Sequence, residues 1–267
     1  MPTEVRSGTG WGVLHLFLRV DRELARGLPD TASKDLAATL NRLAADDAVQ
    51  VHLFAGLGHK ADMWVMALAA DLADLRRVQT EIAISEFGPA LDVVSSYVSL
   101  TETSEYTPTV DDERARLTAS GVSGGDLDRR LGEFAERMAT YTQHRLYPQL
   151  PAWRAACFYP MSHRRDGATA DTNWYLLPFE RRRDLMHDHG KTGRAFTGRV
   201  LQLVSGSVGL DDWEWGVTLF AEDVGDLKQV VYEMRFDEAS ATYAEFGPFV
   251  LGLRRDPDEL VEELGLS

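Results

Sequence analysis

The sequence predicts an α+β fold in which two ferredoxin-like βαββαβ halves pair into a dimeric α+β barrel-type subunit. Three observations predict it. Strand and helix patterns follow one another in that order twice, a segment of the first half recurs in the second, and a polar stretch separates the two. These features divide the chain into a first half at residues 1–106, a helical connector at 107–150 and a second half at 151–267.

Hydrophobic periodicity predicts each element of the first half. Apolar runs typical of strands lie at 11–20, 49–56, 62–69 and 91–100. Amphipathic helical patterns lie around 32–46 and at 72–85. The polar connector that follows is partly helical, with a glycine-rich break at 121–125.

The second half repeats the same order of elements. Its predicted strands lie at 155–164, 199–206, 212–222 and 248–254. Its predicted helices lie at 180–196 and 223–234. The acidic stretch at 254–265 is predicted to be a solvated end of the chain.

An internal repeat supports this duplication. Residues 64–82 align with residues 215–234 across a one-residue gap. The matched pairs are Trp64 with Trp215, Asp74–Leu75 with Asp226–Leu227, Val78 with Val230, and Glu81 with Glu233. Self-similarity of this kind indicates two copies of one structural unit.

Composition and charge exclude several classes of protein. The 267 residues are 44% hydrophobic and 26% charged, which is ordinary for a soluble globular chain. The net charge of −14 argues against a nucleic-acid or anionic-membrane partner, because phosphate contacts need a basic surface. The single cysteine, Cys157, excludes an intrachain disulfide or a cysteine-built metal site. We see no signal peptide and no apolar run near the ~18 residues of a membrane span, so a cytoplasmic location is expected.

Two histidines in "LMHDHGKTGRAF" raise the question of a metal site. On a helix, residues two apart point about 200° away from each other, so His187 and His189 cannot both bind one metal ion. His189 shares the apolar, inward side of the predicted helix. That side also carries Leu185, Met186, Gly193 and Phe196, whereas His187 lies among charged residues.

Two interpretations of His189 remain open from the helix alone. It is either a satisfied core histidine or a ligand for a bound group. Gly193 lies one turn after it on the same face and leaves room for a large flat group, and a glycine inside a helix costs about 1 kcal/mol. The alternative is that Gly190 simply ends the helix as a C-terminal cap.

The predicted strand at 155–164 also carries candidate chemistry. Cys157, Tyr159, Met161 and His163 alternate onto one face, so Tyr159 and His163 can line the same cavity. The alternative is a tyrosine that merely fills the core. Trp213 and Trp215 alternate onto one strand face and are interpreted as packing residues that could flank a bound group.

Several long motifs decide between these interpretations. They are "YPMSHRRDG", "NWYLLP", "DHGKTGR", "GSVGLDDWEWGVTLF" and "YEMRFDEASATYAEFGPF", which occur in this order over about 145–252. Together they resemble the chlorite dismutase-like superfamily, and within it the coprohaem decarboxylases, hydrogen-peroxide-dependent haem synthases of Gram-positive bacteria. The resemblance implies haem in the C-terminal half of each subunit and a homopentamer.

The resemblance also implies roles for individual residues. His189 matches the axial iron ligand, and Tyr159, which opens "YPMS", matches the catalytic tyrosine. Gln202 in "VLQL" matches the distal glutamine of many decarboxylases. Positions near the carboxylates of the substrate are matched by Arg145, Arg194, Arg235 and Ser240.

Two histidines qualify this assignment. His163 stands where many relatives carry lysine, so a fixed positive charge is not guaranteed there, although a histidine could still bind a propionate or accept the tyrosine proton. His144 is a further candidate for the distal side, the alternative being a solvated helix end.

The expected activity is the peroxide-dependent decarboxylation of Fe-coproporphyrin III (coprohaem), which converts two propionates to vinyl groups and gives haem b through a tyrosyl radical. Chlorite dismutation, and a non-catalytic haem-binding or haem-sensing role, are the alternatives. Coprohaem and hydrogen peroxide are the expected partners, with a transient contact to ferrochelatase.

Overall fold

The computed structural model describes residues 9–265. Residues 1–8, part of the stretch in which no signal peptide is predicted, and residues 266–267 lie outside the described part. The strands are β1 (Thr9–Val20), β2 (Val49–Leu57), β3 (Met63–Ala69), β4 (Leu91–Glu102), β5 (Ala155–His163), β6 (Leu201–Gly206), β7 (Trp215–Ala221), β8 (Ala244–Phe246) and β9 (Val250–Arg254). The helices are α1 (Arg22–Ala25), α2 (Ala32–Ala44), α3 (Leu72–Ile84), α4 (Val110–Ala119), α5 (Gly124–Leu146), α6 (Phe179–Arg194), α7 (Val224–Met234) and α8 (Pro257–Glu263).

Eight antiparallel strands close into a barrel. Their order around it is β7-β6-β4-β1-β3-β2-β9-β5, and β5 pairs with β7 to complete the ring. The two halves meet along two seams, β4 with β6 and β2 with β9. Short β8 pairs with the end of β5. The predicted α+β class with two βαββαβ halves is therefore confirmed, whereas the division of the chain into three segments stays a prediction.

Apolar side chains pack both inside and outside the barrel. The interior is largely aromatic, with Phe17, Trp64 and Phe158 among its buried residues. Outside the first half, α2, α3 and α8 cover an aliphatic core. Outside the second half, α6 and α7 lie over a smaller core that includes Tyr159 and Met234. Because alternate strand residues face opposite sides, the odd-numbered residues of β5 point toward α6 and α7.

The internal repeat holds for the helices but not for its tryptophans. Asp71 caps α3 and Asp223 caps α7, each accepting a hydrogen bond from the backbone N–H two residues later. In the strands, however, Trp64 lies inside the barrel, and the position facing inward in β7 is Gly216, where a Cβ would touch Tyr97 and Phe158. The match of Trp64 with Trp215 is therefore wrong by one residue, because strand and helix follow one another at the same spacing in both halves and no gap separates them.

Trp213 and Trp215 also differ from the prediction that they share one face. Trp213 precedes β7 and packs against the interior of the barrel. Trp215 lies edge-on to His163, with ring centroids 5.0 Å apart. Only the second of these two tryptophans flanks the region of the predicted site.

The acidic stretch after β9 is not a solvated end. It forms α8, and its residues Leu260, Val261 and Leu264 are buried in the aliphatic core against α2. The acidic side chains face outward while these three apolar residues face inward, so the high charge of the segment concealed an amphipathic helix. No helix within residues 9–265 is both long and apolar enough to cross a lipid bilayer.

Candidate functional site

Helix α6 runs without interruption through both glycines, from Phe179 to Arg194. The interpretation of Gly190 as its C-terminal cap is therefore wrong. The His189 side chain is 24% exposed, whereas that of His187 is 63% exposed and lies 3.8 Å from Asp188. The inward and outward positions predicted from helix geometry are confirmed for the two histidines.

Asp237 holds the imidazole of His189 in place. The distance between His189 Nδ1 and Asp237 Oδ2 is 3.1 Å. Ser240 donates to the same carboxylate twice, from its hydroxyl at 3.0 Å and from its backbone N–H at 2.9 Å. Burial would raise the pKa of Asp237, but the hydrogen bonds from His189 and Ser240 outweigh it and lower that pKa. An anionic Asp237 keeps the proton on Nδ1 and leaves Nε2 of His189 as a free lone pair.

Asp237 is a site residue that sequence reasoning missed. It lies in the motif "MRFDEAS", between the predicted carboxylate partners Arg235 and Ser240. The turn after α7 continues into a π-helical segment at Ala239–Tyr243, which brings Ser240 back over Asp237. An isolated aspartate directly after a predicted helix was the available signal, but its distance of 48 positions from His189 gave no sign that the two meet.

Tyr159 lies on the face of β5 that points toward α6 and α7. Its ring stacks on Phe249 at 4.4 Å between centroids and meets Phe246 edge-on at 5.7 Å. The residue is only 4% exposed, and burial raises the pKa of its hydroxyl, so the phenol keeps its proton at neutral pH. Within the described chain, no hydrogen bond engages this hydroxyl, which leaves it available to a bound molecule.

His163 is four residues further along the same strand face and is 8% exposed. Its ring stacks on Trp174 with centroids 4.0 Å apart and planes 4° from parallel. The pKa of His163 is lowered to about 4, chiefly by burial; the charge of Glu214 opposes this effect and that of Arg182 adds to it. His163 is therefore neutral at pH 7, and its buried Nδ1 has no hydrogen-bond partner within residues 9–265.

A buried carboxylate, Glu214, supports this part of the site. It accepts hydrogen bonds from the backbone N–H of His163 at 2.8 Å and from the Tyr175 hydroxyl at 2.6 Å. Arg165 pairs with the same carboxylate. Glu214 thus ties β5 to the segment that carries Trp174. It was not predicted from the sequence, although the apolar setting of "WEW" was a possible signal.

Gln202 faces the same side of the barrel as Tyr159. An added Cβ at Gly193 would lie 4.0 Å from Gln202 Oε1 and 3.3 Å from Met234 Cε. The space predicted beside Gly193 is therefore taken up by two flexible side chains. Gln202 thus lies close to Gly193 of α6.

Not all of the residues predicted to bind the carboxylates of the substrate lie beside His189. Arg194 is exposed and folds over Gly190, and Arg235 is exposed with its guanidinium over the rings of Tyr232 and Phe236. His144 is exposed at the end of α5. Reaching a ligand beside His189 would require these three side chains to reorient.

Arg145, next to His144, is in a different position. It is half-buried, and its buried Nε has no hydrogen-bond partner in the described part of the chain. Burial raises the pKa of Glu102, against the effects of a hydrogen bond from Trp215 at 3.2 Å and of the Arg145 charge. Arg145 is therefore close to Glu102 and Trp215, and so to the His163 end of the site.

The residues assembled here form one site on the outer face of the second half of the barrel. α6 contributes His189, β5 contributes Tyr159 and His163, and the segment after α7 contributes Asp237 and Ser240. Within residues 9–265, no group of three or more His, Cys, Asp or Glu side chains is arranged to hold a metal ion. The arrangement can supply one imidazole ligand, an oxidisable phenol and a neutral histidine.

Comparison with known proteins places this chain in a family. The family model described as chlorite dismutase matches residues 30–255. A protein of Natronomonas pharaonis named for haem binding is 39% identical over 97% of the chain, which spans 42% of the length of that relative.

Solved structures agree with this placement. One presented as the structure-based functional identification of a haem-binding protein from Thermus thermophilus is 34% identical, has a TM-score of 0.81 and covers 99% of both chains. A mutant chlorite dismutase from Candidatus Nitrospira defluvii is 20% identical, covers 96% of both chains and, with a TM-score of 0.70, shows the same fold. The chain belongs to the chlorite dismutase family.

Proposed function

We propose that the protein binds coprohaem at His189 and uses hydrogen peroxide to decarboxylate two of its propionates, giving haem b. The observation that carries the proposal is the pairing of His189 with Asp237, together with a buried Tyr159 whose hydroxyl makes no hydrogen bond within residues 9–265. The names of the two relatives that refer to haem binding support the choice of ligand.

The residues present fit an iron porphyrin. A histidine whose Nδ1–H is held by a carboxylate presents a basic Nε2, which is the usual arrangement of an imidazole that binds iron. The buried Nδ1 of His163, which lacks a partner, is a polar atom that a ligand group can satisfy. The aromatic rings of Phe249 and Trp174 provide apolar walls.

Each conversion removes two electrons and one proton from a propionate, releases carbon dioxide and leaves a vinyl group on the porphyrin. Peroxide takes up the two electrons and is reduced to water. Bound iron would supply the reaction with peroxide. Tyr159 then gives up an electron and its hydroxyl proton together, and the resulting phenoxyl takes a hydrogen atom from the propionate β-carbon, which restores the phenol. The carbon radical gives its second electron to the remaining oxidising equivalent of peroxide, and the bond to the carboxylate breaks to release carbon dioxide and leave the vinyl group. The raised pKa of Tyr159 ensures that the phenol is protonated before this step.

The neighbouring residues position the substrate. Asp237 keeps the His189 ring in one orientation, and the neutral imidazole of His163 can exchange a hydrogen bond with a propionate without adding charge. Arg145 brings a positive charge near Glu102, whose hydrogen-bond partner Trp215 contacts His163. Arg194, Arg235 and Ser240 complete the proposed set of carboxylate contacts, with Gln202 and His144 as the proposed distal residues.

Iron ligation is tested by a matched pair of variants. His189→Ala should change the ligand field of bound iron, seen as a shifted Soret band and altered charge-transfer bands. His187→Ala, two positions away on the exposed side of the same helix, should leave the spectrum unchanged. The opposite response of the two variants would refute the assignment of His189.

Product chromatography separates the proposal from its alternatives. Adding peroxide to the coprohaem complex should give a three-propionate intermediate and then haem b. A haem-binding or haem-sensing protein would return coprohaem unconverted, and a chlorite dismutase would release oxygen from chlorite.

The homopentamer, the contact with ferrochelatase and the cytoplasmic location are also proposals. Mass measurement in solution, with and without coprohaem, tests the first of them. A single species of five chains is the expected result.

A further inference from the structure

An arginine that the proposed chemistry does not use lies on the same face of α6 as His189. Arg182 precedes His189 by seven residues, which is two helical turns or about 10 Å along the axis. Met186 lies between them on this face, and its side chain packs with Trp174 in the small apolar cluster beneath the helix. That separation is comparable with the distance from the centre of a porphyrin to its peripheral carboxylates.

Neutral groups fix the guanidinium of Arg182. Its Nε donates to the Tyr106 hydroxyl at 3.2 Å, and its Nη1 donates to the Leu177 carbonyl at 3.1 Å. Its Cζ lies 5.8 Å from the centroid of the Phe179 ring. These contacts hold the side chain in one direction without neutralising its charge.

The neighbouring arginines of α6 behave differently. Arg181 pairs with Glu238, and Arg183 lies 3.8 Å from Asp184. For Arg182, no aspartate or glutamate within residues 9–265 forms an ion pair. A half-buried, positioned cation without a carboxylate is ready to accept one from a ligand.

The surroundings of Arg182 point toward the same ligand. Arg182 is close enough to His163 to help lower its pKa, after the larger effect of burial. The buried Nδ1 of His163 has no partner among residues 9–265, so a cation and an unpaired imidazole nitrogen lie near one another at this end of the site. Exposed Glu105 lies beside the Tyr106 hydroxyl and raises its pKa, after the larger effect of burial and against the effect of Arg182. The negative charge of Glu105 would therefore compete with a ligand carboxylate for Arg182.

We propose that Arg182 is a specificity-determining residue that binds a peripheral carboxylate of the porphyrin held at His189. This inference rests on the proposed function, because it places the porphyrin at His189. The ligand class is an anionic tetrapyrrole, and the preference is for one that carries a carboxylate at the edge facing the start of α6. Tyr106 acts as a positioning residue for Arg182.

Binding titrations with full-length variants test this subsite. The probes are coprohaem, metal-free coproporphyrin III and the tetramethyl ester of coprohaem, followed by absorbance in the same dilute detergent. Arg182→Gln should weaken both carboxylate-bearing probes by about tenfold or more, since a charge-assisted hydrogen bond is worth about 1.5–3 kcal/mol, and leave the ester unchanged. Arg183→Gln, the matched control, should bind all three probes as the wild type does, and Glu105→Gln should bind the carboxylate probes more tightly.

The outcomes separate this inference from the proposed function. If Arg182→Gln binds coprohaem as tightly as the wild type does, the proposed subsite is wrong. An equal loss of affinity for coprohaem and for its ester would also overturn it, because such a loss indicates a structural defect. Thermal unfolding of each variant checks the fold independently. If the wild type binds coprohaem but does not convert it with peroxide, the decarboxylase activity is refuted. The binding affinities of Arg182→Gln and Arg183→Gln would still test the subsite in that case.

Discussion

Burial and hydrogen bonding give the two inward histidines of this site opposite properties. His189 has a carboxylate partner for Nδ1, which makes its other nitrogen a good donor to iron. His163 stacks on Trp174 and meets Trp215 edge-on, and burial lowers its pKa and keeps it neutral at pH 7. A lysine in its place would bring a fixed positive charge, which the neutral imidazole of His163 does not supply.

Replacing the partner of His189 should weaken its bond to iron. Asp237→Asn removes the negative charge but keeps a similar shape, and we expect affinity for coprohaem or turnover to fall about 10- to 100-fold. Absorbance titration and product formation measure the two effects. Ser240→Ala, which removes a hydroxyl donor to Asp237 but keeps the negative charge of that carboxylate, should shift the iron-ligand spectrum less than Asp237→Asn does. Equal affinity and turnover in Asp237→Asn and wild type would contradict this role.

The buried histidines should also make folding sensitive to acid. Burial lowers the pKa of His15 to about 3 and that of His163 to about 4, from 6.5. As the pH falls below about 6.5, the unfolded chain binds protons that the native state does not, so the free energy of unfolding decreases down to about pH 4. Each such histidine contributes a slope of about 1.4 kcal/mol per pH unit.

Urea unfolding at pH 7, 6 and 5 measures this slope. His163→Gln removes one titrating group, so its free energy of unfolding should fall less steeply than that of the wild type over this range. Identical slopes would show that His163 is protonated in the native state.

Helix geometry predicted which of the two histidines in α6 faces inward, because side-chain direction depends on local spacing alone. It could not predict Asp237 as the partner of His189, or Trp174 as the ring that covers His163. Both depend on how distant segments pack, which no local pattern encodes.

Among the elements, α6 and β5 carry the chemistry and α8 stabilises the other half. Leu260 is fully buried against α2. Leu260→Ala should therefore lower the free energy of unfolding by about 2–5 kcal/mol. Exposed Glu259, its neighbour, provides the control, and Glu259→Ala should change stability by no more than about 0.5 kcal/mol. Chemical denaturation that finds both variants equal to wild type would restore the interpretation of this segment as a solvated end.

The strands and long helices were predictable from periodicity, and most end within two or three residues of the predicted positions. The short elements α8 and β8 were not, since seven and three residues carry too little pattern. In α8 the spacing of Leu260, Val261 and Leu264 was the available signal, and the surrounding acidic residues obscured it.

At the scale of the whole molecule, the two halves share one fold but differ in what their outer faces carry: a hydrophobic core in the first half and the candidate site in the second. The outer face of the first half is filled by aliphatic side chains beneath α2, α3 and α8. The corresponding face of the second half carries Tyr159, His163 and Gln202 beneath α6, where His189 faces them. The repeat predicted the duplication, but the specialisation of the second half became apparent only from its motifs.

The central claim is that Tyr159 converts propionates of a coprohaem bound at His189. The most direct measurement is chromatography of the porphyrin after stoichiometric peroxide is added to the coprohaem complexes of the wild type and of Tyr159→Phe. The account predicts a three-propionate intermediate and then haem b from the wild type, and bound but unconverted coprohaem from Tyr159→Phe. Conversion at the wild-type rate by Tyr159→Phe, or an unchanged tetrapropionate from the wild type, would contradict it.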